Sequence, residues 1–501
     1  MSFLHKKVFV NRLCTIVAGG LVPFAFAPFD FYLLSIISLS ILFYFLSKTD
    51  STRESFILGY LFGFAMFGIG VNWLHISINL FGGVNIVGAL LLTYLLVAFI
   101  SLYPALCGYI AVRFFKKYLV ITLPALWLIT EWCRGWILTG FPWLNIGTSQ
   151  IDSILASFAP IIGDYGITFV VCLTAIALLI LVTGNLKQRL TGSVVLIFII
   201  MASYLLRDIN WTIENGEEIS ATLVQGAIPQ ELKWRPEQRQ KTYENYSSLS
   251  EAFWSSDLII WPETAIPSLY HLADDFIDQI TEQKQNSNAM FMSGLAYKDQ
   301  TSNKYFNSIL LIDDEHHFYH KHHLVPFGEY LPFKSVLGEI LRFLKIPMSD
   351  FSPGNHKQKL FETGKAVFGM SICYEDAYGT EVRMALPDAN ILINVSNDAW
   401  FGDSMAPHQH LQIARMRALE NGRYLLRSTN TGISAVIDNK GKIISRSPQF
   451  EPHALHARAK LFIGLTPYSQ YGNSLTLTFC LMILLVSLVL QRKINIAIKT
   501  Q

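Results

Sequence analysis

The sequence predicts an α-helical transmembrane bundle of about eight helices that carries a separate mixed α/β domain. Of the 501 residues 51% are hydrophobic and only 15% are charged, against about 25% charged in an average soluble protein. The 39 Lys and Arg and 37 Asp and Glu are also unevenly placed, with 19 of them in residues 1–210 and 54 in residues 211–470. We therefore expect a membrane domain over 1–210, an α/β domain over 211–470, and a last helix with its tail over 471–501.

Eight apolar runs are the candidate membrane spans. A helix needs about 17–25 mostly apolar residues to cross the hydrocarbon layer. The first run is short, is interrupted by Pro23 and resembles a signal peptide, but Pro28 would hinder cleavage after Ala27, so an uncleaved anchor is expected. The runs cover residues 13–27, 31–46, 56–74, 86–112, 119–138, 165–183, 190–206 and 474–490.

The distribution of Lys and Arg between the runs predicts the orientation, because cationic loops stay in the cytoplasm. With the N-terminus inside, the short outer connections contain only Arg207. Both termini are then cytoplasmic and residues 211–470 lie on the outer side of the membrane. The thirteen cations on the inner side are Lys6, Lys7, Arg12, Lys48, Arg53, Arg113, Lys116, Lys117, Lys187, Arg189, Arg492, Lys493 and Lys499.

Two charged residues lie inside the fifth run. Glu131 and Arg134 are three residues apart and share a helix face, and ionisable groups at that depth usually face a bundle interior or a polar cavity. The sequence favours neither of two interpretations: the charged pair holds two helices together, or it has a role near a lipid headgroup. Trp132, Trp136 and Trp143 are typical of an aromatic belt at the outer membrane surface.

Short β-rich runs that alternate with amphipathic stretches predict the α/β domain. With a net charge of +2 and no glycine-rich phosphate loop, the sequence gives no reason to expect a nucleic-acid partner or a cofactor. Residues 407–423 have a helical apolar period. The candidate strands are 221–228, 258–261, 289–295, 305–312, 366–372, 391–395 and 434–438.

Cys373 is the candidate nucleophile of this domain. The other five cysteines lie in apolar runs, whereas Cys373 follows a predicted strand. A thiol with a pKa of about 8.5 needs a base or a nearby cation to become a thiolate. Glu263, which follows another strand, is a candidate base, and Lys321, which lies in a polar segment, is a candidate cation for the charge that develops on an acyl oxygen.

Three sequence blocks carry a resemblance to a known family. WPETA (261–265), HLVPFGEY (323–330) and ICYE (372–375) resemble the active-site blocks of bacterial apolipoprotein N-acyltransferases, members of the nitrilase superfamily. The segments LVQG (223–226) and NVSNDAWFG (394–402) match as well. Further matches are Lys233-Trp234, Arg427 and the segment TNTG at 429–432. The similarity extends over essentially the whole chain.

The resemblance implies a fold, a reaction and the roles of individual residues. The α/β domain would be a nitrilase αββα sandwich, and the enzyme would transfer an acyl chain from a phospholipid to the α-amino group of a diacylglyceryl-cysteine apolipoprotein. Cys373 would be the nucleophile that forms a thioester, Glu263 the general base, and Lys321 the oxyanion-stabilising cation. One departure is Ala227, where an Asn is common. Supporting residues would be Trp234, Glu329, Tyr374 and Glu375.

Residues 333–345 form an apolar helical stripe flanked by cations, which suits a mobile lid at a lipid surface or, equally, a helix packed on its own domain.

Four other interpretations compete with this one. His320 and His322 suggest a metal site, but no second ligand cluster accompanies them, so hydrogen-bonded histidines and no metal are expected. A papain-like pair using His408 or His410 is a weaker competitor. The same Cys, Glu and Lys residues also suit a membrane-tethered amidase or hydrolase that passes the acyl group to water. The domain would instead be a binding module if it were inactive.

Overall fold

The computed structural model describes residues 3–332 and 350–499, with the side chains of 6–332 and 350–493. The chain divides into two compact units. The first unit comprises Met1–Trp73, Leu90–Asn210 and Gln470–Gln501, and the second comprises Leu74–Ala89 and Trp211–Ser469. The segment Leu74–Ala89, which the sequence analysis assigned to the membrane domain, therefore packs with the α/β unit. The candidate lid at 333–345 lies outside the described residues.

The helices of the chain coincide with the predicted apolar runs and add several short ones in the α/β unit. In chain order they are α1 (Phe3–Leu21), α2 (Leu33–Lys48), α3 (Thr52–Gly70), α4 (Leu74–Leu80), α5 (Ile86–Ile100), α6 (Leu102–Phe115), α7 (Leu119–Arg134), α8 (Ala159–Thr183), α9 (Leu186–Arg207), α10 (Gln230–Lys233), α11 (Pro236–Ser250), α12 (Asp274–Gln285), α13 (Gly379–Val382), α14 (Met405–Asn421), α15 (Pro467–Tyr471) and α16 (Ser474–Lys499).

The helical part of the fold prediction is confirmed. In the described part of the chain five helical segments are long and apolar enough to cross a membrane, or six if α3 and α4, bent by 55°, form one span. One of the five is the 49-residue stretch Ile86–Arg134, which contains α5, α6 and α7, and α2 is a shorter apolar helix. Helix α1 ends before Pro23, because proline lacks the N–H that a helix interior requires.

The Glu131–Arg134 pair holds a non-helical segment inside the first unit. Both side chains are buried. Glu131 accepts hydrogen bonds from Thr168 Oγ1 at 2.6 Å and from the main-chain N–H of Ile146 at 3.2 Å. Arg134 donates to the carbonyl of Trp143 at 2.6 Å and to other acceptors of the same segment. These bonds support the structural interpretation of the pair.

The expected aromatic belt is wrong for one of its three residues. Trp143 is only 3% exposed and packs its ring against Trp73 at 5.3 Å between centroids. Trp136, in contrast, is 53% exposed. Arg134 donates a hydrogen bond to the main-chain carbonyl of Trp143, and this bond holds Trp143 in the interior of the unit. The spacing of Trp143 from Trp136 in the sequence did not indicate this burial.

The second unit contains two β-sheets. The first sheet has the strand order β13-β1-β2-β4-β5-β6, with β3 beside β4, and the second has the order β12-β11-β10-β9-β8-β7. The strands are β1 (Ile213–Gln225), β2 (Leu258–Ile260), β3 (Ile266–Leu269), β4 (Met290–Lys298), β5 (Tyr305–Ile312), β6 (His316–His320), β7 (Phe361–Glu362), β8 (Val367–Ile372), β9 (Ile391–Ser396), β10 (Leu425–Thr429), β11 (Ala435–Ile437), β12 (Ile443–Arg446) and β13 (His453–Ile463).

Three apolar clusters show that these elements form four layers, α–β–β–α. Alternate residues of a strand point to opposite faces of its sheet. In β2, Leu258 and Ile260 join the cluster between the two sheets, whereas Ile259 joins a cluster with the side chains of α11 and α12. In β9, Leu392 packs with α14 on the outer face of the second sheet. The predicted αββα sandwich is confirmed.

All seven predicted strands are present, with bounds shifted by a few residues, and β5 has the predicted bounds. Strands β3, β6, β7, β10, β12 and β13 were not predicted. Five of them are short or polar, as in the HHFYH sequence of β6, so a period-2 hydrophobic signal is weak or absent. The exception is the 11-residue β13, HALHARAKLFI, whose alternation between residues 455 and 461 was a usable signal that the sequence analysis missed. These segments are strands because their backbones hydrogen-bond to a neighbouring strand, as β6 does to β5.

Candidate active site

Cys373 is the first residue after β8, and its backbone has an unusual conformation. Its backbone angle φ is +52°, a left-handed value that residues other than glycine rarely adopt. Such strain persists only where the surrounding structure holds it, and it is common at functional sites. This backbone conformation changes the chain direction sharply at the end of a buried strand. The side chain of Cys373 is left half-buried.

Glu263 lies beyond the end of β2, in the first sheet. Its side chain is 9% exposed, and the main chain around it contacts β4 closely. A Cβ atom added to Gly294 of β4 would lie 2.6 Å from the Cα atom of Glu263. Glycine at position 294 is therefore a steric requirement for the observed position of Glu263.

Lys321 follows β6 and joins two carboxylates in the buried site. It is 1% exposed, and its Nζ lies 2.9 Å from Glu329 and 3.7 Å from Oε1 of Glu263. Asn307 of β5 donates from one amide nitrogen to both carboxylates, at 2.8 Å each. Burial acts to lower the pKa of Lys321, but the charges of Glu329 and Glu263 outweigh it and raise that pKa. Lys321 is a permanent cation.

The thiol of Cys373 is protonated at neutral pH. Burial and the negative charge of Glu263 raise its pKa above the ordinary value, and this outweighs the opposite effect of Lys321. A base must therefore remove the proton as the sulfur attacks. Glu263 lies 3.7 Å from Lys321, and the charges of both residues act on the thiol of Cys373. The three predicted side chains therefore share one site, and their catalytic roles stay a prediction.

The carboxylate of Glu375 links the chain segment that contains Cys373 to the segment that contains Lys321 by hydrogen bonds. It accepts hydrogen bonds from the main-chain N–H groups of Ile372, His322 and His323 at 2.6, 2.6 and 3.1 Å. Tyr319 donates to it as well, at 3.1 Å. Burial raises the pKa of Glu375 to about 7, partly opposed by Lys321 and these donors.

The two predicted aromatic residues occupy different surroundings. Tyr374 is buried, with its ring at 5.2 Å from Tyr378 and 6.0 Å from His323. Trp234 directly follows α10 and is 37% exposed. Tyr374 thus packs against aromatic neighbours next to Cys373, whereas the indole of Trp234 is partly exposed to solvent.

A buried charged cluster that the sequence analysis did not predict lies on the other side of Cys373. His410 is bonded to Asp398 through Nδ1 at 2.8 Å and to Asp376 through Nε2 at 2.9 Å. Arg427 forms ion pairs of 3.1 Å with the same two carboxylates. Burial and Arg427 act to lower the pKa of His410, but Asp376 and Asp398 raise it to about 9. His410 is therefore a cation that contacts both carboxylates, and a papain-like pairing of Cys373 with His410 is not supported.

Three histidines of the 320–323 segment are hydrogen-bonded to protein groups. His320 contacts Ser308, His322 contacts the carbonyl of Gly354, and His323 contacts Glu381. Within the described ranges, no group of three or more His, Cys, Asp or Glu side chains is arranged to hold a metal ion.

Asn307 and Asp376 were absent from the predicted site. Asn307 has a sequence signal, since it is a polar residue inside the otherwise apolar strand YFNSILLI. Asp376 has none beyond its position after Cys373, because its partners come from β10 and α14, far away in the chain.

A four-layer sandwich with a glutamate and a lysine that follow strands β2 and β6 of one sheet, and a cysteine that follows strand β8 of the other, defines a nitrilase-type domain, here joined to membrane helices. Residues 220–460 match the family model for carbon–nitrogen hydrolases, and residues 18–177 match the model for the N-terminal domain of apolipoprotein N-acyltransferases. The class of protein is thus a nitrilase-superfamily enzyme domain on a helical bundle.

Curated relatives identify the family. The chain is 41% identical to the apolipoprotein N-acyltransferase of Methylococcus capsulatus over 93% of this chain and 94% of the relative. It is 40% identical to that of Nitrosomonas europaea over 95% and 96% of the two chains, and 37% identical to that of Photobacterium profundum over 98% and 97%. The chain belongs to the apolipoprotein N-acyltransferase family.

Proposed function

We propose that this protein transfers a fatty acyl chain from a phospholipid to the α-amino group of the diacylglyceryl-cysteine that begins an apolipoprotein. The transfer proceeds in two half-reactions through a thioester on Cys373. The observation that supports this most is the strained position of Cys373 at the end of β8, within electrostatic reach of Glu263 and Lys321.

In the first half-reaction Glu263 accepts the thiol proton as the sulfur attacks the ester carbonyl of the phospholipid. A carbon–sulfur bond forms, and negative charge passes to the ester oxygen. Lys321, which Glu329 holds at 2.9 Å, stabilises that charge. The carbon–oxygen bond then breaks, and the proton on Glu263 goes to the leaving oxygen of the lysophospholipid.

In the second half-reaction the neutral amine of the lipoprotein attacks the thioester. Glu263 takes a proton from the attacking nitrogen, the carbon–nitrogen bond forms, and the carbon–sulfur bond breaks. The released thiolate regains a proton from Glu263, which restores the resting enzyme. One carboxylate therefore serves as base and acid in each half-reaction.

The remaining predicted residues support these steps. Glu329 orients Lys321, and Glu375 holds the segments of Lys321 and Cys373 together through main-chain hydrogen bonds. Tyr374 packs beside that junction. The half-exposed indole of Trp234 contacts the lipid substrates near the entrance of the site.

The proposal includes an orientation in the membrane. The apolar helices and the bacterial relatives support a bacterial membrane protein. The cationic inner connections favour a protein of the inner membrane with both termini in the cytoplasm and the catalytic domain on the periplasmic side. The substrates then reach Cys373 from the outer leaflet.

The proposal is tested by incubating the full-length protein with phospholipid micelles and measuring its intact mass. We expect one acyl chain on Cys373, lost on adding a diacylglyceryl lipopeptide, whose N-terminus becomes acylated. C373S and K321M abolish labelling, whereas C14S, which removes an exposed thiol of the first unit, retains it. Unlabelled Cys373 would exclude the mechanism, and fatty acid release without an acceptor would instead indicate a hydrolase.

A further inference from the structure

Lys233 is a buried cation of the site that neither the predicted residues nor the usual cysteine–glutamate–lysine roles include. It is the last residue of α10 and is 1% exposed. Its Nζ donates a hydrogen bond to the main-chain carbonyl of Glu263 at 2.9 Å. Among the described residues this carbonyl is the one hydrogen-bond acceptor of Lys233, whereas an ammonium group can donate three hydrogen bonds.

The position of α10 keeps Lys233 next to the reacting groups. The short helix is fixed at its other end by Gln230, whose Oε1 accepts a hydrogen bond of 2.7 Å from Asn397, a residue that follows β9. The charges that act on Lys233 are those of Glu263, beyond β2, and Cys373, beyond β8. Together with the hydrogen bond to the carbonyl of Glu263, these charges place Lys233 in the same buried site as the two groups between which the thiol proton is proposed to move.

The balance of charge gives Lys233 a role. With Lys233 protonated, two lysines offset the two carboxylates of Glu263 and Glu329. When the thiol proton moves to Glu263, one negative charge moves to sulfur and the total remains zero. With Lys233 neutral, the same buried site carries an excess negative charge, which a low-dielectric environment penalises.

We propose that Lys233 is a positioning residue for acyl transfer, which holds the main chain of Glu263 through its carbonyl and balances the negative charge of the Cys373 thiolate. This inference rests on the proposed function, because it concerns the formation of the thioester.

The proposal leads to a pH dependence. Burial lowers the pKa of Lys233 to about 7, although Glu263 and Cys373 oppose that effect. Acyl-enzyme formation then slows as Lys233 loses its proton on the alkaline side of this value. Glu375 also has a pKa of about 7, so the wild-type profile does not by itself assign the change to Lys233, and variants are needed.

The test measures the rate of acylation of Cys373 by intact mass, using the full-length protein in micelles of phosphatidylethanolamine and detergent, about one pH unit below and above the pKa of about 7. We expect K233M to slow acylation by about tenfold below that pH, less than the loss that follows removal of a direct oxyanion donor, and to remove the alkaline decline. K233R, which keeps its charge, should restore the rate below that pH and shift the decline to higher pH.

The matched control is K241M on the exposed surface of α11, which should keep the wild-type rate and profile. If K233M keeps both, or if K233R declines through the same pH as the wild type, Lys233 has no such role. If a thermal scan shows that K233M does not fold, the pH profile of the acylation rate of K233R is the deciding measurement. Absence of any acylation of wild-type Cys373 would refute the proposed function itself, which distinguishes the two failures.

Discussion

The imidazole Nε2 of His410 lies 3.3 Å from the carbonyl oxygen of Cys373. Asn394 donates to the same oxygen, also at 3.3 Å, and its own side-chain oxygen accepts a hydrogen bond of 2.5 Å from Arg427. The buried cluster of His410, Arg427, Asp376 and Asp398 thus holds the strained backbone of Cys373 through its main-chain carbonyl, directly from His410 and through Asn394 from Arg427. The cluster thus holds the backbone of Cys373, whereas in the proposed mechanism Glu263 and Lys321 act on its sulfur.

Replacing His410 by Ala should destabilise the protein strongly. The substitution leaves Asp376 and Asp398 with Arg427 as their remaining cationic partner, and breaking a buried charged network costs about 3–5 kcal/mol. We expect a lower thermal midpoint in full-length protein, followed by tryptophan fluorescence. H456A, which alters an exposed histidine, is the control, and an unchanged midpoint for H410A would contradict the structural role.

The same cluster predicts how stability depends on pH. The pKa of His410 is raised from 6.5 to about 9, so its contribution is complete below about 6.5 and disappears as the pH rises through 9. The pKa of Asp398 is lowered from 3.8 to about 2, since Arg427 and His410 outweigh its burial, so its contribution is lost as the pH falls through 2. Thermal midpoints of wild type and H410A should converge towards alkaline pH. A gap that widens there would contradict the assignment.

Replacing Asn307 by Leu should slow acyl transfer with little change in lipid affinity. The amide of Asn307 holds Glu263 and Glu329 at 2.8 Å each, and misplacing a reacting group by about 1 Å can cost roughly a hundredfold in rate. Steady-state kinetics should show a lower kcat with a similar KM. N288L, at an exposed position without a left-handed backbone, provides the control. A change confined to KM would show that Asn307 does not act through the carboxylates.

Replacing Gly294 by Ala should also impair catalysis. The new Cβ would lie 2.6 Å from Cα of Glu263, and the main chain of the candidate base has to move. We expect a loss of acylation rate of roughly a hundredfold, measured by intact mass. G364A is a matched substitution at a glycine where a Cβ meets nothing within 4 Å, and it should remain active. Equal rates for the two variants would refute the steric argument.

Replacing Ala227 by Asn should stabilise the protein. Ala227 has a φ of +52°, a conformation that costs alanine about 1–2 kcal/mol and that Asn tolerates better. The departure from the family pattern at this position therefore affects backbone strain. We expect a higher thermal midpoint for A227N and no increase for A252N, an exposed alanine. A lower midpoint for A227N would mean that another contact compensates the strain.

Much of the fold was readable from sequence because its signals are local. Apolar runs predicted the membrane helices, and strand β5 was predicted with its observed bounds. The motif blocks also predicted that Glu263, Lys321 and Cys373 meet. Strands β6 and β10 were missed, since their strand character depends on the neighbours with which they pair.

By itself the sequence predicted the apolar helices and the charged α/β domain and indicated Cys373 as the candidate nucleophile, because length, hydropathy and residue type are properties of short stretches. Only the tertiary structure decided that His410 is a cation beneath Cys373, that Asn307 bridges two carboxylates and that Lys233 is buried beside Glu263. The physical reason is that the charge state of a buried group depends on its partners, and these come from segments far apart in the chain.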